Sequence, residues 1–182
     1  MIYFPLANLG WPDSAALASF ATIANFTVVP AIRGARVKLL DWTTLGFFSL
    51  ALIAVLAGGG AAHAFAAWNT VLVWLMFAAA AWTSIARGAP FTLEYARETA
   101  PPETWTAPQF LAVNRFLSLL WAGVFSVNLA ITLGLRGASG AALWVAIGVP
   151  IALVVGGFVF TARYTAAVRR RAGTALVQNA AH

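Results

Sequence analysis

Residues 33–60 read RGARVKLLDWTTLGFFSLALIAVLAGGG, and three parts of that stretch decide the fold. It opens on a basic cluster of Arg33, Arg36 and Lys38, runs without a charge from about 42 to 57, and stops on Gly58-Gly59-Gly60. A helix crosses the hydrocarbon of a bilayer with roughly 20 predominantly apolar residues, so this run reads as a membrane span. Lys and Arg collect on the cytoplasmic side of spans, which makes this one enter from the cytoplasm. Asp41 is the expected cap of the helix and the glycines its stop. The run is short, and Leu39 and Leu40 are expected to dip into the interface.

Four more apolar segments surround it, at about 15–32, 66–86, 108–134 and 140–163. Pro12-Asp13-Ser14 offers a cap for the first. Thr106-Ala107-Pro108-Gln109 has the spacing of a capping box with Pro in the first turn for the fourth. The loop after the first segment carries Arg33, Arg36 and Lys38; the loop after the third carries Arg87 and Arg97, with Arg115 just inside the fourth segment. The tail holds Arg163, Arg169, Arg170 and Arg171. Ten of the eleven basic residues thus fall on one side, and only Arg136 on the other. The pattern predicts an all-α integral membrane protein: a five-helix transmembrane bundle, N-terminus out and C-terminus in, forming a single domain over 1–182.

Tryptophan favours the headgroup region and gives an independent check. Trp11, Trp68 and Trp144 fall at predicted outer ends, and Trp42, Trp82 and Trp105 at inner ends. Trp121 and Trp74 lie deeper and are expected to pack against neighbouring helices rather than hold a cofactor. The second and third segments, and the fourth and fifth, form two in–out–in hairpins ending at Arg87 and Arg163. This is a faint sign of a parallel duplication.

Composition points the same way: 62% hydrophobic and 9% charged residues do not describe a water-soluble domain. The net charge of +6 sits at the ends of apolar segments, where it answers anionic lipid headgroups, so nucleic acid is excluded as a partner. Cysteine is absent, and with it disulfides, thiolate metal sites and cysteine nucleophiles. A cleaved signal peptide would need basic residues before its apolar core, whereas residues 1–14 contain only Asp13 as a charge. The first segment therefore reads as a retained helix.

The most unusual stretch is 88–107, which holds Glu94, Glu98 and Glu103, three of the five acidic residues. Thr92 is the expected cap of a short helix at 93–99, stopped by Pro101-Pro102. Glu94 and Arg97, three apart, can pair on it, while Leu93, Ala96 and Ala100 form an apolar face suited to the interface. The segment reads first as an interfacial connector, and alternatively as a gate or docking element over the bundle. Arg115, about two turns inside the fourth segment, is expected to snorkel or to pair with Glu94 or Glu98. Glu94 and Glu98 are a weak acid–base or metal pair, with no His nearby.

No Asp or Glu lies deep in a span, which argues against a proton pump built on a buried carboxylate. The polar residues there are Thr22, Asn25, Asn69, Asn114, Ser118 and Asn128. They are expected to bond between helices or, on the sharper reading, to line a substrate path. His63 and His182 lack companion ligands, so no metal or haem is expected, and no cofactor or catalytic residue is assigned. Gly148, Ala152 and Gly156 make a small-residue ridge for close helix contact within the bundle or in a homodimer, and Pro150 suggests a kink.

Pro90-Phe91-Thr92-Leu93-Glu94-Tyr95-Ala96-Arg97 is followed by Pro101-Pro102-Glu103, Trp105, Asn114-Arg115 and Trp121. With these residues the stretch from Trp68 to Asn128 resembles bacterial inner-membrane proteins related to intracellular septation protein A. It is most similar to a subgroup carrying a Pro-Phe-Thr-x-x-Tyr-Ala-Arg motif. It departs from septation protein A proper in the longer loop after Arg87. The resemblance implies a bacterial cytoplasmic membrane and supplies no catalytic residues. The expected function is a non-enzymatic scaffold or accessory subunit of a membrane or envelope complex, in contact with the bilayer and a membrane-protein partner. A small transporter or channel is the alternative, and an enzyme acting on lipid ranks third.

Overall fold

The computed structural model describes residues 12–32, 34 and 36–180, and every regular element among them is helical. In order these are α1 (Pro12–Ile32), α2 (Leu39–Ala57), α3 (Gly59–Ala86), α4 (Thr92–Thr99), α5 (Pro108–Gly134) and α6 (Gly140–Ala180). A 3-10 turn at Pro102–Thr104 lies between α4 and α5. Four helices, α2, α3, α5 and α6, are long and apolar enough to cross a membrane. α1 is apolar over the shorter stretch Ser19–Val29. Trp11, Arg33 and His182 lie outside the described residues, as do the side chains of Asp13 and Ser14 and hence the cap expected there.

Several boundaries differ from the sequence pattern, each for a physical reason. α3 begins at Gly59 rather than near 66, so the turn after α2 is Gly58 alone, held at φ 66°, and His63 lies on the helix. Backbone in an apolar medium must bond to itself, and that requirement outweighs the low helix propensity of Gly59 and Gly60. α6 continues past Arg163 to Ala180 through an Ala- and Arg-rich run of strong helix formers. Asp41 is not the cap of α2 but sits in its first turn, where its carboxylate accepts the Lys38 N–H at 3.2 Å. The capping box at the start of α5 does not form either. Ala107 is the N-cap, and Pro108 opens the helix as the residue that has no N–H to satisfy.

The principal contacts follow a row rather than a closed ring: α1 on α2, α2 on α3, α3 on α5, and α5 on α6, with α4 against α5. Phe47, Ala51 and Phe65 centre the α2–α3 seam, with Gly46 meeting the end of Met76. The second core joins α3, α4, α5 and α6 around Ala78, Ala81, Phe91, Trp121, Ala122 and Phe125. Ala81 and Ala122 are fully buried, and small residues at such a seam let two helix backbones approach closely. The Trp82 Nε1–H donates across the same seam to Ser126 Oγ at 3.0 Å.

Trp74 stacks on Phe125, and Trp121 packs on Phe125 and Phe158 with its indole where a Cβ on Gly157 would fall, so both deep tryptophans serve helix packing. Trp121 also donates to Thr161 Oγ1 at 3.2 Å. Gly157 is therefore the glycine of α6 that faces α5. Gly148, Ala152 and Gly156 are exposed, with open space around both glycines, so the expected ridge does not serve packing within the chain. At the end away from α4, Arg136 lies with its guanidinium 3.3 Å over the Trp68 ring and ties the α5–α6 turn to α3.

Candidate functional site

The motif Pro90–Arg97 builds α4, and α4 is docked rather than floating. Gly88, at φ 71°, reverses the chain after α3, and Pro90, Phe91 and Leu93 are buried beneath the short helix. Buried polar groups anchor it. The Phe91 N–H donates to Ser84 Oγ at 3.2 Å, and the Thr92 N–H to Ser118 Oγ at 3.3 Å. The Thr92 hydroxyl donates to the Asn114 carbonyl at 2.7 Å and lies 2.9 Å from Ser118 Oγ. Asn114 turns its own amide onto the Phe110 carbonyl at 2.8 Å. Thr92 thus does not cap α4, whose N-cap is Phe91; it fastens α4 to α5.

The carboxylates of α4 reach in another direction. Glu94 accepts the Leu39 N–H at 2.6 Å, which places a negative charge on the N-terminus of α2, where the helix dipole favours it. Glu98 pairs with Lys38 at 2.8 Å, and the same ammonium lies 4.4 Å over the Tyr95 ring. Burial first, then the carboxylates of Asp41, Glu94 and Glu98, push the Tyr95 phenol well above its ordinary range. Arg97 does not pair with Glu94. Its guanidinium lies 5.5 Å over Trp105, whose indole N–H bonds the Ala100 carbonyl at 3.0 Å. Arg115 pairs with neither Glu94 nor Glu98. It is exposed on α5, and both carboxylates are engaged elsewhere, Glu94 by the Leu39 N–H and Glu98 by Lys38.

A cleft lies on each side of α4. One, of about 340 Å³, is mostly apolar and runs between Ala96, Ala100, Phe110, Val113 and the Thr165–Arg169 turn of α6. The other, of about 600 Å³, is lined by Arg36, Lys38, Glu94, Arg97, Glu98 and Trp105. The site's unforeseen members are Ser84, Lys38 and the free N-terminus of α2. Ser84 carried a local signal, a polar residue in the last turn before Gly88. The other two meet α4 across more than fifty residues of chain, which spacing does not encode.

The three amides proposed for a polar path stand on three different helices. Asn25 is exposed on α1, Asn69 is half-buried on α3 and accepts the Thr70 hydroxyl at 2.8 Å, and Asn128 is fully buried on α5. Among the described residues no hydrogen bond joins one to another, and neither amide atom of Asn128 has a partner. No group of three His, Cys, Asp or Glu residues suited to a metal ion occurs among the described residues. Comparison with family models, with curated proteins and with solved structures finds no match for this chain.

Proposed function

We propose that this chain is a non-enzymatic protein of the bacterial cytoplasmic membrane, with α1 as a fifth span, N-terminus outside and C-terminus inside. In this reading it works as a scaffold or accessory subunit of a membrane or envelope complex. The observation that carries the reading is the open row of helices. α6 leans on α5 and turns Trp144, Ile151, Val155 and the Gly148–Ala152–Gly156 ridge outward. A ridge of small residues fits another helix backbone better than it fits lipid chains, so a membrane-protein partner or a second copy is its natural cover. The likeness to the septation protein A relatives belongs to the same proposal, with the shared motif forming the docked α4 on the cytoplasmic face.

Copurification from native membranes tests this reading. A stable membrane-protein partner or a homodimer is expected, and Gly148→Leu with Gly156→Leu should release it. Open space around both glycines lets the variant fold. A chain that purifies alone and moves a solute across liposomes would replace scaffolding by transport. One observation favours that second reading: the unpartnered amide of Asn128 inside α5.

A further inference from the structure

The charges around α4 divide into those with a partner and those without. Glu94 is engaged by the Leu39 N–H, and Glu98 and Lys38 engage each other. Arg36 and Arg97 have no carboxylate partner among the described residues. The Arg97 guanidinium carbon lies 5.5 Å from the centre of the Trp105 ring. Its Nε is buried and reaches no acceptor among the described residues. Arg36 is exposed and lines the same 600 Å³ cleft.

We propose that this cleft binds the phosphodiester group of a ligand, held by Arg36 and Arg97. A guanidinium is a planar fork that matches phosphate oxygens two at a time, and a buried N–H without an acceptor is what such an oxygen would satisfy. Charge narrows the choice. Arg36, Lys38 and Arg97 against Glu94 and Glu98 leave one net positive charge in the lining. That balance neutralises the single charge of a phosphodiester and would leave the second charge of a phosphomonoester dianion unneutralised. Trp105 supplies an apolar wall beside the phosphate. A phospholipid headgroup and a soluble phosphodiester share this chemistry.

The test uses the full chain in detergent, with phosphatidylglycerol read by native mass spectrometry and soluble glycerophosphoglycerol read by thermal stabilisation. Wild type should retain the lipid, and Arg36→Gln and Arg97→Gln should each weaken retention about tenfold, the loss expected of one charged contact to phosphate. Arg115→Gln, an exposed arginine outside the cleft, should leave retention unchanged. Binding of lipid alone assigns the site to the membrane, and binding of both probes assigns it to the headgroup. If Arg97→Gln fails to fold, the exposed Arg36→Gln decides. The proposal is overturned if neither probe binds, or if Arg115→Gln weakens binding as much as the cleft variants do.

Discussion

Tyr95 shows how a single side chain reads its surroundings. Its phenol is half-buried beside Lys38, and burial together with the field of three carboxylates favours the neutral form. A pKa raised by folding means the folded state holds the proton more tightly. The associated stability is complete below the ordinary phenol value of about 10, and it is lost as the pH rises through the higher folded value. The ultraviolet titration of wild type minus that of Tyr95→Phe isolates this residue, and its midpoint should lie above 10. A midpoint at or below 10 would mean that α4 is not seated as described. Ser118 gives a second measure. Ser118→Ala strips the part-buried Thr92 N–H of its acceptor inside the protein, which costs about 0.5–1.5 kcal/mol for a typical hydrogen bond lost. Thr99→Ala, at an exposed position, should change unfolding by less than about 0.5 kcal/mol. Both are read by denaturant unfolding in detergent.

At the scale of the helix, the face of α5 was legible in the sequence and Arg115 was still assigned the wrong neighbours. Asn114, Leu117, Ser118, Trp121, Ala122, Phe125 and Asn128 are its buried residues, spaced three and four apart on one stripe. Arg115 follows Asn114 by one position, a turn of about 100°, and leaves that stripe. Nearness in sequence suggested Glu94 and Glu98 as its partners, whereas phase on the helix turns it to the outside. The carboxylates instead found the start of α2, a long-range contact that no local spacing records. Protease sensitivity across residues 98–104 separates the two arrangements. Glu94→Gln removes the charge at the N-terminus of α2, an effect of about 0.3–1 kcal/mol. Glu98→Gln breaks a half-exposed ion pair of about 0.2–1 kcal/mol. Each should accelerate cleavage modestly, and together more so. Arg115→Ala should leave the rate at the wild-type value, and an acceleration equal to that of the double variant would restore Arg115 as the anchor.

For the whole molecule, the parity of spans rests on α1. Four helices are long and apolar enough to cross a membrane, and four crossings return a chain to the side it started from, so in the proposed arrangement α1 decides where residue 1 lies. Hydropathy and charge located α2, α3, α5 and α6 because burial in lipid requires no partner, only apolar side chains all round. The row in which they stand was not legible, since helices that face lipid and helices that face protein carry the same apolar residues. The proposed orientation rests on charge: Arg136, at the far end, is held on Trp68, while the other basic residues described lie at the α4 end or on the last turns of α6. The absence of cysteine makes this directly measurable, because any introduced thiol is unique. In intact cells a membrane-impermeant thiol reagent should label Ser139→Cys in the α5–α6 turn. Thr99→Cys on α4 and Thr174→Cys near the end of α6 should react only after permeabilisation. Asn8→Cys should label like Ser139→Cys if α1 crosses the membrane, and like Thr174→Cys if it lies along the inner surface. Labelling of Thr174→Cys in intact cells would invert the whole arrangement and place α4, with its arginine-lined cleft, outside the cell.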